Sequence, residues 1–350
     1  MHKKTHVTIV GAGISGLYLA YCLQQRQVPF TLLEMRTRTG GRIYSPGGYD
    51  FGPAWFWRGH NRVIALLNEL DIDYYLQQDD GFGLYQAPDR IQRLPQGYTG
   101  EAFRIAGGWQ SVTDALARQI DSNSVYLGCT VREIHKDAEQ FTLHIEQSEQ
   151  AMFASHVALA IPPRLIAQNV AFSPPLSDAY IDELASTPTW MGSHAKAMIR
   201  YDKPFWREKG FSGTALSATG PLMQIHDASL PESSEAALFG FIGLSADERN
   251  TLAEQLEVAI VEQLSSLFGD HARRVKAVEI VDWSNETATS AVSDREPLNH
   301  HPVYGLSQTE FFDGRLHFCA TETADHYGGF VEGALQASLR AFQRIIQDTE

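Results

Sequence analysis

Cysteine is scarce: Cys22, Cys129 and Cys319 are the only three in 350 residues. They stand far apart and share no C-x-x-C or C-x-x-H spacing, which argues against a disulfide framework or a thiolate metal site and for buried free thiols. No His/Cys/carboxylate cluster suggests a metal either. Basic charge is also short, since 28 Lys and Arg against 42 Asp and Glu leave a formal net charge of −14. Nucleic acid and anionic membranes demand a clustered positive field, so neither is expected as a partner. No stretch approaches the ~20 apolar residues that cross a bilayer. The start "MHKKTHVTIV" is charged but lacks a small-residue cleavage pattern, so a cytoplasmic protein is expected. There is no internal repeat, low-complexity tract or heptad run. The chain is nevertheless 43% hydrophobic, enough for the cores of one or two domains.

The first of these is announced at once. Val7 to Val10 is apolar and β-branched, as a buried parallel strand should be. Gly11, Gly13 and Gly16 follow as G-x-G-x-x-G, and Ile14, Leu17, Tyr18 and Cys22 then recur at helical spacing. Gly11 permits the tight turn, Gly13 lets a pyrophosphate approach the backbone, and Gly16 lets the helix pack closely on the strand. A second strand, Phe30 to Leu33, leads into Glu34, placed to accept hydrogen bonds from ribose hydroxyls. A carboxylate there repels a 2′-phosphate and disfavours NADP.

A plain NAD site needs nothing more, yet "EMRTRTGGRIYS" sets Arg36, Arg38 and Arg42 beside Gly40 and Gly41. Such arginines can reach a pyrophosphate while the glycines let the backbone pass close by. The far end supplies a counterpart: a strand, Leu316 to Ala320, then a helix from about Gly329 with Val331, Leu335, Leu339, Phe342 and Ile346 on its apolar face. A second glycine-marked helix N-terminus could stabilise the electron-rich edge of a flavin or its ribityl phosphate.

In order along the chain, "VGAGISGLYLAYCL", "LLEMRTRTGGRIYS", "RIAGGWQSVTDALA", "VALAIPP", "HAKAMIRYDKPFWRE" and "CATETADHYGGFVEGAL" resemble the FAD-dependent amine oxidase family of monoamine, polyamine and L-amino acid oxidases. The resemblance implies an α/β fold: a Rossmann-like FAD-binding domain with a parallel sheet, plus a smaller α+β substrate domain. The FAD domain would be discontinuous, from residues 1–75, 101–165 and 296–350, with 76–100 and 166–295 forming the substrate domain. Gly11, Gly13, Gly16, Glu34, Arg36, Gly41, Arg42, Glu322, Phe330 and Val331 would contact FAD, and Val131 would hold the adenine through its backbone. Phe51 to Trp55 and Ala160 to Pro162 would line the flavin. Family members usually carry a long helical segment where this chain has only 76–100, so a shallower, more open pocket is expected.

Within the second domain, Ala195 to Tyr201 reads as a strand and Ala246 to Leu267 as one amphipathic helix with Leu256, Ile260 and Leu264 inward. Phe205 and Trp206 read as core. An inward Lys196 would be costly on that strand unless employed; by resemblance it is a catalytic residue near flavin N5, stabilising superoxide in the oxygen half-reaction. Phe330, the other catalytic candidate, would be one of two rings flanking the substrate nitrogen. "TSAVSD" supplies no second ring, leaving Trp55, Trp190, Trp283, Tyr304 or Tyr327 to substitute. It also supplies no cysteine, so FAD is expected to be non-covalent. The expected activity is oxidation of a small amine by hydride transfer to flavin N5, with O2 as acceptor and H2O2 as product. A C–C desaturase, or a flavoprotein with a binding or maturation role, are the alternatives. Arg58 and Arg164 are the candidates for clamping an amino acid carboxylate.

Overall fold

In the structure, a computed structural model, residues 6–95, 97, 100–231, 233–298 and 300–348 are described. The basic start, residues 1–5, lies outside them, as do 96, 98 and 99 of the short interval and the end of the last expected segment, 349–350.

Val7–Val10 has every side chain buried, because it is covered on both faces. It lies within a six-stranded sheet ordered Glu310–Phe311, Leu316–Phe318, His156–Leu159, Val7–Val10, Phe30–Glu34, Val125–Leu127. All pairings are parallel except that of the Glu310–Phe311 edge. Alternate residues serve opposite layers, as the strand period of two requires. Val7, Ile9, Leu32 and Ala158 pack with the helices Ile14–Gln25, Asn61–Glu69, Gln110–Gln119 and Val331–Gln347. Val10, Leu33, Val157 and Leu159 pack instead beneath a four-stranded sheet, Met152–Ala154, Phe141–Ile145, Val131–Lys136 and Ala171–Ser173.

That second layer takes in segments beyond residue 165. Ala171–Ser173 pairs in parallel with Val131–Lys136, Phe172 opposite Ile134. Helix Asp178–Ser186 buries Tyr180 and Leu184 in the same cluster. The hydrophobic cluster under the first sheet thus reaches as far as Leu184.

The other body is a seven-stranded sheet ordered Ala277–Asp282, Ala195–Tyr201, Ala236–Ile242, Leu222–Asp227, Phe211–Ser217, Phe82–Gln86, Ile91–Leu94. The short interval contributes the hairpin at one edge of this sheet. Ala195, Ala197, Ile199 and Tyr201 face Leu256, Ile260 and Leu264 of helix Gln255–Phe268. Met198, Phe239 and Ala237 face the opposite way, onto Tyr49, Phe51 and Ala54. Lys196, two places before Met198, shares that second face. Phe205 and Trp206 are core, the indole donating to Asp227 Oδ2 at 2.8 Å.

The helix expected over Ala246 to Leu267 is broken into Ala246–Leu252 and Gln255–Phe268. Ala253, at φ 38, turns the chain between them. Such a conformation costs about 1–3 kcal/mol. Full burial of Ile260 and Leu264, about 1.5–3 kcal/mol each, offsets it.

Candidate active site

A cavity of about 590 Å³ runs between the two bodies, within the usual size range of cofactor and ligand sites. Its walls extend from Glu34, Arg36 and Val131 at one end to Lys196 and Phe330 at the other. The first end is built from the glycine turn. A Cβ on Gly16 would sit 1.9 Å from Gly11 O, so only glycine lets the helix lie this close to the strand. Gly13 and Gly41 face one another across the cavity wall, where a Cβ on Gly41 would lie 2.9 Å from Gly13 Cα. Among the helices whose first turns line the cavity, Ile14–Gln25 and Val331–Gln347 begin at Gly13 and Phe330 without a side-chain cap. Two such N-termini, with their outward N–H groups, suit the phosphates and the electron-rich edge of a flavin dinucleotide.

Glu34 is buried, and its carboxylate accepts from the backbone N–H of Ala12 at 2.8 Å and of Arg36 at 2.9 Å. Those bonds fix its direction and leave lone pairs free for a ribose. Cys129 N donates to Glu34 O, bringing the segment before Val131 beside the same end. Arg42 reaches across to Glu322 at 2.7 Å, tying the two ends of the chain together at the cavity.

At the other end Lys196 is buried, and its ammonium donates to Gly52 O at 2.7 Å and Asp50 O at 3.0 Å. It lies 4.7 Å from the Phe239 ring centre and 5.0 Å from that of Phe241. Burial pulls its pKa down to about 7; Asp50 opposes the shift and Arg104 adds to it. The Asp50 carboxylate is anchored from behind, accepting from Ser45 Oγ at 2.6 Å and Trp109 N at 2.8 Å and pairing with buried Arg104 at 3.4 Å. Burial also holds the nearby imidazoles neutral, with His194 at about 4 and His226 at about 3.

Of the residues expected from sequence, Gly11, Gly13, Glu34, Arg36, Gly41, Arg42, Val131, Lys196, Phe330 and Val331 line this cavity, as do Phe51 to Trp55 and Ala160 to Pro162. Gly16 and Glu322 stand behind it, the one packing a helix and the other pairing with Arg42. Arg38 turns away to Thr39 O, Gly41 O and Ile43 O, bracing the loop. Arg36 does more than line the wall. It donates to Thr289 Oγ1 at 2.6 Å and pairs with Glu286 at 3.1 Å, joining the two bodies.

Phe330 has no partner ring from 289–294 but stands among Trp57 at 6.1 Å, His60 at 5.9 Å and His301, stacked at 5.1 Å. Trp57, His60, His194, Gln224 and Phe241 were not singled out by sequence, although they line the cavity. For Phe241 a signal existed, since it pairs directly across from Lys196 and strand alternation puts both on one face. Arg58 and Arg164 lie outside the lining, engaged with Glu101 and Asp294.

A doubly covered parallel sheet with a glycine cradle, opening onto a second sheet across one cavity, defines a dinucleotide-binding fold. The chain belongs to the flavin-containing amine oxidoreductase family, whose model matches residues 90–346; a model of the NAD(P)-binding Rossmann-like domain matches residues 9–70. The cofactor is FAD, and the cradle, paired helix N-termini and Glu34 fit it. A Mycobacterium tuberculosis protein assigned as the flavin-containing monoamine oxidase AofH is 32% identical over 73% of this chain and 55% of its own. The matched region thus spans about half the length of that relative. Human flavin-containing amine oxidase B is 22% identical over 99% of this chain and 87% of its own. Cyclohexylamine oxidase from Brevibacterium oxydans shares the fold at a TM-score of 0.85, with 21% identity, 99% of this chain and 100% of that one covered.

Proposed function

We propose that this protein oxidises an amine: R–CH2–NH2 + O2 + H2O give R–CHO + NH3 + H2O2. The flavin, when bound, supplies a two-electron acceptor for hydride from the carbon beside the nitrogen and passes the electrons to oxygen. The observation that carries the reading is Lys196, a buried ammonium on the cavity wall, held by two backbone carbonyls and faced by two aromatic rings.

Each residue then has a task. Arg42, with Glu322 behind it, and the two helix N-termini bind the dinucleotide's phosphates and flavin edge. Phe330 and the tryptophans of the wall orient an uncharged amine and exclude water from the reacting carbon. With His194 and His226 neutral and no carboxylate in the described lining at the Lys196 end, no side chain is required to take a proton: the substrate enters already deprotonated. Lys196, when protonated, offers positive charge where oxygen accepts its first electron. Non-covalent FAD is part of this reading; it is supported by Cys129, the cavity's cysteine, lying at the Glu34 end, remote from Lys196. No described helix is long and apolar enough to cross a membrane. The cytoplasmic placement is supported by the three free thiols.

Rapid-mixing kinetics of Lys196→Met test the proposal. The variant is expected to bind FAD and to be reduced by amine under anaerobic conditions. Its reoxidation by oxygen should slow at least about tenfold, a barrier change of about 1.4 kcal/mol. Unchanged reoxidation would remove Lys196 from the oxygen step.

A further inference from the structure

Lys196 is seated on a single short stretch of backbone. Both carbonyls that accept from its ammonium, Asp50 O and Gly52 O, belong to the segment 50–52. That segment is held in turn through one side chain. The Asp50 carboxylate, 1% exposed, accepts from Ser45 Oγ and Trp109 N and pairs with Arg104, also 1% exposed. Arg104 comes from a separate element, the strand Phe103–Ile105, and donates from its other terminal nitrogen to Asp227 O at 3.5 Å. Its guanidinium carbon and the Lys196 ammonium stand over the same ring, 5.9 Å and 4.7 Å from the centre of Phe239. Two cations thus share one buried ring, and one residue is tied to both: Asp50 holds Arg104 through its side chain and Lys196 through its backbone. The other titratable groups of this region carry no free charge. His194 and His226 are neutral, burial pushes the phenols of Tyr49 and Tyr75 upward, and Asp227 is paired with Arg207.

We infer that Asp50 and Arg104 are positioning residues for Lys196: their ion pair fixes the carbonyls on which the ammonium rests, and their opposite charges set how firmly it holds its proton. The consequence for the oxygen step rests on the role proposed above for Lys196. Neither side chain lines the cavity, so each acts through the lysine and not on substrate or flavin. The two pull in opposite directions. The Asp50 carboxylate favours the charged lysine, and the Arg104 guanidinium, a like charge, disfavours it. Together they offset one another and leave burial as the chief influence. Removing one alone leaves the other uncompensated in a low-dielectric interior, where its field is felt strongly.

The test follows the protonation of Lys196 in the FAD-bound protein by NMR of isotope-labelled lysine Cε, the signal being assigned by its loss in Lys196→Met. Asp50→Asn should lower the midpoint of that titration by about one pH unit, and Arg104→Gln should raise it by about one unit. The double variant, Asp50→Asn with Arg104→Gln, replaces the ion pair with a neutral amide pair and should return the midpoint close to the parent's. A purely structural role would move both single variants the same way. Shifts in one direction, or an unmoved midpoint in Arg104→Gln, overturn the inference. Should neither single variant fold, the double variant decides. A folded protein with the parent's midpoint supports the charge balance; a displaced midpoint or an unfolded chain overturns it. Reoxidation by oxygen after reduction with dithionite is the second readout, and its rate should fall as pH rises through each variant's own midpoint. Midpoints that shift as expected beside a rate indifferent to pH would keep the positioning pair and remove Lys196 from the oxygen step.

Discussion

Lys196 is the side chain on which the proposed chemistry turns, and its titration has a consequence for stability. Its pKa falls from an ordinary 10.5 to about 7 on folding, chiefly through burial. Below about pH 7 it is protonated in both states, so the full cost of burying a charge falls on the native protein. Between about 7 and 10.5 the unfolded chain holds the proton and the folded one does not. Unfolding free energy therefore rises with pH across that window, by up to 1.36 kcal/mol per unit. Lys196→Met removes the slope. Compared without FAD, the variant should exceed the parent in denaturant resistance near pH 6, and the gap should shrink steadily toward about pH 10. A gap independent of pH would place the proton elsewhere.

The turn of Gly11 to Gly16 and the strand of Ala195–Tyr201 show how an element's geometry becomes a site. In the first, the helix can approach the strand only because position 16 has no side chain. Gly16→Ala should push the helix outward, costing about 1–3 kcal/mol by overpacking and weakening FAD retention, read as flavin released on gel filtration together with a lowered Tm. Full FAD retention would separate the cradle from that packing. These local requirements are what made the dinucleotide end legible in sequence: glycine spacing, an acidic strand end and the strand period are written in neighbouring residues. Arg38 and Arg42 look alike in sequence; the turn at Gly40 and Gly41, at φ 96 and φ 59, decides which one faces the cavity. The break at Ala253 carries no glycine or proline to mark it, so the helical stripe reads straight through. Ala171–Ser173 joins Val131–Lys136 across more than thirty residues of chain, a pairing that local pattern does not announce.

Across the whole molecule, the candidate site lies where the two bodies meet. Lys196 belongs to the seven-stranded sheet but donates to carbonyls of the 50–52 segment. Trp283 donates to Phe51 O, and Arg36 holds Glu286 and Thr289. Each clasp fixes the second sheet against the dinucleotide end, and the aromatic wall is assembled from both sides. That is why the substrate end was the less legible half. His60, Gln224 and Phe241 become neighbours of Phe330 or Lys196 only through contacts between distant segments, and the shortened 76–100 stretch appears as a hairpin added to the edge of that sheet. The most direct measurement is an anaerobic titration of the purified flavoprotein with benzylamine, followed by flavin absorbance. Complete bleaching at about one amine per flavin, with colour and H2O2 returning on admission of oxygen, is the expected result. A flavin that stays oxidised in the presence of every amine offered would contradict amine oxidation at this site.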